Sequence, residues 1–401
     1  MPSSLNLKTL HDAVSNTACA FRSRTRLHPA DGPGGKIFPP THLGGEYAIE
    51  QRRRTGTDGK PEEVTCVLVD SVQSSANRLE EALKLQVDSG KLSLPLVRVD
   101  FDDDKLTDPI GSLSTLDVPH RLADAILRDS LIDEDGKAVP FRKSSWGSRL
   151  DVASLANATP LLEISPTSLL FGLWDSTGPK GGLGAKFQRA IVSEIVAIGA
   201  AVGVRTSSRI DPLQIRSGIP IKKGNDSEYE VAAKESKGTV QASEINHGNI
   251  PPTIDAGGIT CDYCEHSLTL SLPALRRLRF PIDGQWSPEA DNAGRTLLAS
   301  IGLMASALAC EAGFDLRSRC LLWPEVPFEL ELLDRPGETP ERFTLTGDQG
   351  IALYNEAVEQ LRGVGLPYHT EPVTLRPKDS LMKLLVASQE KAAAESPTEG
   401  D

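Results

Sequence analysis

The chain has 401 residues, 39% of them hydrophobic, with a formal net charge of −12 and six cysteines. This length and apolar content suffice for a substantial buried core in two or three compact units. An acidic total argues against indiscriminate binding to nucleic acid, and so few cysteines exclude a disulfide scaffold, leaving reduced thiols as the expectation.

The opening stretch MPSSLNLKTLHDAV lacks a continuous apolar run, so no secretory signal is expected and the protein is expected in the cytoplasm. Residues 1–60 are rich in Gly, Pro and Arg (RLHPADGPGGKIFPP, EQRRRTG) and read as loops with one short strand. Residues 64–69 (VTCVLV) read as a buried strand, after which Asp70 or Ser71 caps a helix with Val72, Ala76, Leu79 and Leu83 on one face. Residues 94–101 read as a strand, and 117–130 as a helix started by Asp117 and Pro119. Then come a strand at 167–174, the loop STGPKGGLGAK, a helix at 187–198 and a strand at 202–210. The polar stretch 212–256 reads as an inserted arm. A strand at 259–272, a buried helix at 290–312 and strands at 319–323 and 326–332 complete the pattern. The apolar run 296–310 is shorter than the ~20 residues a membrane span needs, so no membrane partner is expected.

This order, βαβ, insertion, βαβ, predicts an α+β sandwich of the ferredoxin-like or RRM-like kind. The expected divisions are a loop-rich region over 1–160, an RRM-like palm over 161–335 interrupted by the arm at 212–256, a C-terminal extension over 336–387, and a disordered tail over 388–401, which is small, polar and acidic.

Charge is segregated: residues 19–60 carry eight Lys/Arg against four Asp/Glu, and residues 176–223 carry eight against two. A confined basic groove on an acidic body has this signature. The sharpest segment is FGLWDSTGPKGGLGAKFQR, residues 171–189. Glycines let backbone amides approach an anion and a helix N-terminus adds donors. Lys180, Gly181, Gly182, Lys186 and Arg189 are therefore candidates to hold a phosphate backbone. The bland alternative is a tight strand-to-helix turn with solvated lysines. Gly184 is followed by Ala185 and Lys186, not by Lys and Ser/Thr, so this is no nucleotide-triphosphate loop.

Arg52, Arg53 and Arg54 form a second basic cluster or a solvated loop, and Arg22, Arg24 and Arg26 alternate as along a strand. Arg276, Arg277, Arg279 and Lys222–Lys223 are weaker candidates. Cys261, Cys264, His266 and His247 hold enough soft donors for zinc, but residues three apart in a strand face opposite sides. No metal and no cofactor are expected. His42, with Tyr47 and a lysine, is the one arrangement that a metal-independent ribonuclease could use.

Three stretches, VDSVQSSANRLEEAL (69–83), DVPHRLADAILRDS (117–130) and TSLLFGLWDSTGPKGGLGAKFQRAIVSEIVA (167–197), resemble the RAMP-superfamily backbone subunit, the seventh Cas family, of type I-G (formerly I-U) CRISPR interference complexes. The resemblance spans roughly residues 20–350. It implies an RRM-like palm with inserted fingers and thumb, the thumb at 212–256, stacked as copies in a helical filament along the guide crRNA. The implied partners are crRNA, target DNA, the other Cascade subunits and a recruited helicase-nuclease. The implied role is non-catalytic, and Asn77 and Arg78, within the shared SVQSSANR, join the RNA-contact candidates. The rival expectation is a RAMP endoribonuclease processing the guide precursor through His42. Type III relatives carry a catalytic aspartate in a loop; Asp31, Asp58 and Asp175 lie in loops here, and none aligns to that role.

Overall fold

The computed structural model describes residues 2–56, 59–177, 184–224 and 228–395. Helix α1 (Leu7–Ser15) starts at Asn6, whose side chain accepts from the Thr9 amide, and leads into strand β1 (Ala20–Pro29). Strands β2 (Ile49–Thr55) and β3 (Pro61–Asp70) form a hairpin. The first sixty residues thus hold more regular structure than expected. The alternation Phe21-Arg22-Ser23-Arg24-Thr25-Arg26-Leu27 is a period-two pattern in which Phe21, Ser23, Thr25 and Leu27 are buried and the arginines point outward.

Ser71 caps α2 (Val72–Asp88) by accepting from the Ser74 amide, and Ala76, Leu79 and Leu83 are buried as expected. Strand β4 (Ile191–Ile198) occupies the place where a helix was expected. Its β-branched residues are stiff at χ1 and favour a pleated surface, and it pairs along both edges. Residues 166–171 depart in the other direction: Pro166–Phe171 is a helix with Pro at its first position, ended by Gly172 at φ +93°, and Leu173–Trp174 is all the strand that remains. Asp124 splits the helix expected at 117–130 into a 3-10 turn, Arg121–Ala123, and a short helix, Ala125–Arg128.

The arm is longer than expected. Strands β5 (Ala201–Arg209) and β6 (Ile250–Thr260) form its antiparallel stem, and three short strands near Ile221–Lys223 form a small sheet beyond it. Strand β7 (Tyr263–Ser271) buries Leu268 and Leu270, whereas Leu272 opens a short helix instead of extending the strand. Helix α3 (Pro288–Ala312) is long and apolar enough for a membrane span, but its apolar window is 94% buried within the protein. Strand β8 (Glu329–Leu333) follows.

In the ten-stranded main sheet the central order is β8-β1-β7-β4-β3-β2, antiparallel throughout. Both α2 and α3 cover one face: Ser75 Oγ of α2 donates to Ser193 Oγ of β4 at 3.1 Å, and Cys310 Sγ of α3 lies 3.8 Å from His266 Nδ1 of β7. The opposite face stays open, and there the outward arginines of β1 stand. A second, five-stranded sheet places Val373–Pro377 between Val97–Phe101 and Ser130–Glu134, so the C-terminal region packs into a layer begun near residue 97. One core cluster runs from Leu5 to Met382. The expected tail is partly ordered, because a helix continues over Asp379–Glu395; residues 396–401 lie outside the described residues.

Candidate nucleic-acid interface

The described flanks of the glycine-rich segment pair with each other, and a strand follows them where a helix was expected. Leu173–Trp174 pairs antiparallel with Lys186–Phe187, Trp174 opposite Lys186, and the Asp175 amide donates to the Ala185 carbonyl at 2.9 Å. The helix dipole invoked for this segment is therefore absent, and positive charge here comes from side chains alone. Lys180, Gly181 and Gly182 lie outside the described residues.

Behind this hairpin lies a cleft of about 690 Å³, lined among others by Trp174, Thr177, Lys186, Arg189, Arg128 and His120. Lys186 and Arg189 have no ion-pair partner among the described residues. Lys186 Nζ sits 5.1 Å from the centre of the Trp174 ring, which is 56% exposed. Arg189 passes under Gly172, where a Cβ would stand 3.1 Å from its Cγ, and its Nε is buried without a hydrogen-bond partner. The floor is a buried pair: Arg121 donates through Nε and Nη2 to the two oxygens of Glu80, each at 2.6 Å, and through Nη1 to the Gly172 carbonyl at 3.0 Å. Burial pushes the Glu80 carboxyl up to about 7 against the pull of Arg121. Arg121 holds φ +48°, a conformation costing a side-chain-bearing residue of order 1 kcal/mol, kept in place by these bonds.

The cleft opens onto the free face of the main sheet. Val192 lines it and stands in the same cross-strand row as Thr269 and Arg22. Most arginines of that face are already neutralised: Arg22 pairs with Glu331 at 2.6 Å, Arg24 with Glu265 at 2.7 Å, Arg52 with Glu50 and with Glu194, and Arg54 with Glu62, while Arg53, which alternates to the other side of the strand, pairs with Glu63 at 3.4 Å. Arg26 differs, lying over the Tyr263 ring at 4.2 Å without an ion-pair partner among the described residues. A paired arginine attracts phosphate less than a free one, so Lys186, Arg189 and Arg26 dominate the field here, and the 52–54 triplet contributes less than its density suggests.

Residues 21–202 match the family model described as CRISPR-associated protein GSU0053. The matched span, a little under half of the chain, is similar to this CRISPR-associated family. A solved chain titled "CRISPR RNA-guided surveillance complex, pre-nicking" is similar at 13% identity and TM-score 0.33, over 93% of this chain and 100% of that one. No curated protein matches.

The remaining candidates scatter. Asn77 is exposed on α2. Arg78 is engaged within the protein: its Nε lies 3.3 Å from the buried Asp70 carboxylate, and its Nη1 and Nη2 donate to the Asp315 and Leu316 carbonyls. Arg276 donates to carbonyls at the end of α1 and beyond, and Arg279 pairs with the buried Asp291. Cys261 and Cys264 Sγ are 3.8 Å apart, but His266 faces Ser193 and Cys310, and His247 packs against Tyr229 in the arm, so these donors share no centre. His42 is exposed, and the Tyr47 hydroxyl accepts from the Gly258 amide at 2.8 Å. Asp175 is buried and paired with Arg142 at 2.8 Å. Trp174, Arg128 and His120 were missed by sequence reasoning. The available signal was a tryptophan flanking the glycine loop with a lysine at hairpin distance beyond it.

Proposed function

We propose that the chain is a non-catalytic crRNA-binding backbone subunit of a type I-G Cascade complex, with copies stacking along the guide and presenting it to target DNA beside other Cascade subunits, for a recruited helicase-nuclease to cut. The family-model match over residues 21–202 supports the CRISPR context. The observation that carries the RNA role is the cleft, where unpaired Lys186 and Arg189 meet an exposed tryptophan at the margin of an open sheet face. A groove that holds a guide by its backbone needs cations and main-chain donors, with no base-reading side chains. The sheet order supports an RRM-like palm: taken in chain order, β1, β4, β7 and β8 are the four strands of a βαβ-βαβ unit arranged 4-1-3-2, with α2 and α3 as its helices. The β5–β6 arm then takes the place of the thumb.

Salt dependence of single-stranded RNA binding is the test. If Lys186 and Arg189 each meet a phosphate, Lys186→Gln and Arg189→Gln should each lower the magnitude of the log–log salt slope by about 0.7. Unchanged slopes in both variants would place the RNA elsewhere. Incubation with repeat RNA checks the non-catalytic part of the reading: cleavage lost in His42→Ala would replace it with the endoribonuclease.

A further inference from the structure

The geometry points to a seat for one unstacked nucleobase on the indole of Trp174, so that each copy of the chain holds one base as well as the sugar-phosphate path. This rests on the RNA-binding reading and deepens it.

Three exposed tryptophans compete for the role. Trp286 donates its indole N–H to the buried Asp291 at 2.7 Å and so is tied into the fold. Trp323 stands opposite His28 on the open sheet, outside the cleft. Trp174 is 56% exposed on a two-residue strand, and no hydrogen bond of its side chain is recorded among the described residues. Leaving this much aromatic surface in water is unfavourable, and here it faces a cleft whose size falls within the roughly 300–1,000 Å³ typical of small-ligand sites.

The surroundings select the ligand's chemistry. Lys186 lies over the indole at 5.1 Å, a distance at which a cation is held by the ring and still reaches a neighbouring phosphate. Arg189 lines the cleft without an ion-pair partner among the described residues, a cation available to a phosphate. Arg128, although paired with Asp129 at 2.7 Å, and His120 also line the cleft, and Ser176, Thr177 and Gln188 supply short polar contacts without a base-specific pair of donors and acceptors. An aromatic platform between cations, with an uncommitted polar rim, fits a nucleotide of any base: the base stacks and its two phosphates meet charge.

The experiment uses the full chain freed of bound nucleic acid and two probes of equal length, oligouridine and the corresponding abasic ribose-phosphate oligomer. Trp174→Ala should lower affinity for oligouridine about tenfold, leave affinity for the abasic oligomer unchanged, and leave the salt slope for both unchanged. Trp174→Phe, which keeps an aromatic face, should recover most of the loss. Equal losses on both oligomers, or no loss on oligouridine while the wild type binds it, overturns the base seat alone. A wild-type chain that binds neither oligomer overturns the RNA-binding reading and the seat with it. Thermal midpoints of both variants are compared with the wild type, so that a loss of fold is recognised as such.

Discussion

His266 stands on β7 beneath the sheet, with Nε2 2.7 Å from Ser193 Oγ and its ring against Phe314. No carboxylate pairs with it among the described residues, and burial lowers its pKa to about 4 from the usual 6.5. The folded state therefore prefers the neutral ring. Stability from this group is fully present above pH 6.5 and is lost as pH falls through 4, a loss of about 3 kcal/mol. Urea unfolding between pH 7 and pH 4 should show a steeper fall for the wild type than for His266→Gln; parallel curves would mean that the ring has another way to take up its proton. In the sequence this residue is one of a Cys-x-x-Cys-x-His run and suggests a ligand. Only the cross-strand register, which sets His266 against Thr25 and under α3, reveals it as a core residue. Arg78 makes the same point from the opposite side: a basic residue in a recognisable motif is turned inward to a buried aspartate, and nothing in its local sequence distinguishes that from solvent exposure.

Among the elements, the clearest successes were those with local chemistry of their own. Ser71 is a side-chain cap, the apolar stripe of α2 has helical spacing, and α3 is apolar all round. The exchange of strand for helix at 187–198, and of helix for strand at 167–174, has a shared cause: a short apolar run fits either period, and its neighbours choose. In the arm, order depends on one carboxylate. Asp211 accepts from the amides of Leu213, Ile215 and Gly248, while its own amide donates to Asn249 Oδ1 at 2.7 Å. These bonds, that from Gly248 foremost, hold its pKa below the ordinary carboxylate value. Asp211→Ala should therefore raise hydrogen exchange and protease nicking across residues 211–249 while the unfolding midpoint of the core stays in place, and acid should loosen the wild-type arm only as pH falls through the lowered pKa. A core midpoint that falls together with the arm would mean that the arm is not an independent unit.

At the scale of the molecule, the acidic chain leaves few cations unpaired on the open face of the main sheet. Glutamates on β2, β3, β4, β7 and β8 neutralise most arginines of the open face, so the cations left unpaired on that face among the described residues are Arg26 and those of the cleft margin. Such a charge pattern favours a polyanion locally and repels it from the acidic remainder. If copies stack along the guide, the number bound must grow with RNA length. Mass photometry of the full chain with single-stranded RNAs of increasing length should show stepwise addition of copies; one copy at every length would remove the filament from the proposal.

Sequence by itself determined the α+β class, the strand-cap-helix unit at 64–83, the buried helix near 290–312, the confined positive charge and the CRISPR resemblance, because each rests on composition, local periodicity or side-chain chemistry that neighbours in the chain can express. Tertiary structure alone decided that the flanks of the glycine segment pair as strands, that the arginine triplet is neutralised, that Arg78 points inward, and that Trp174 and Arg189 meet in one cleft. The reason is physical: charge pairing, burial and cleft formation depend on residues tens to hundreds of positions apart, and no window of sequence contains both partners.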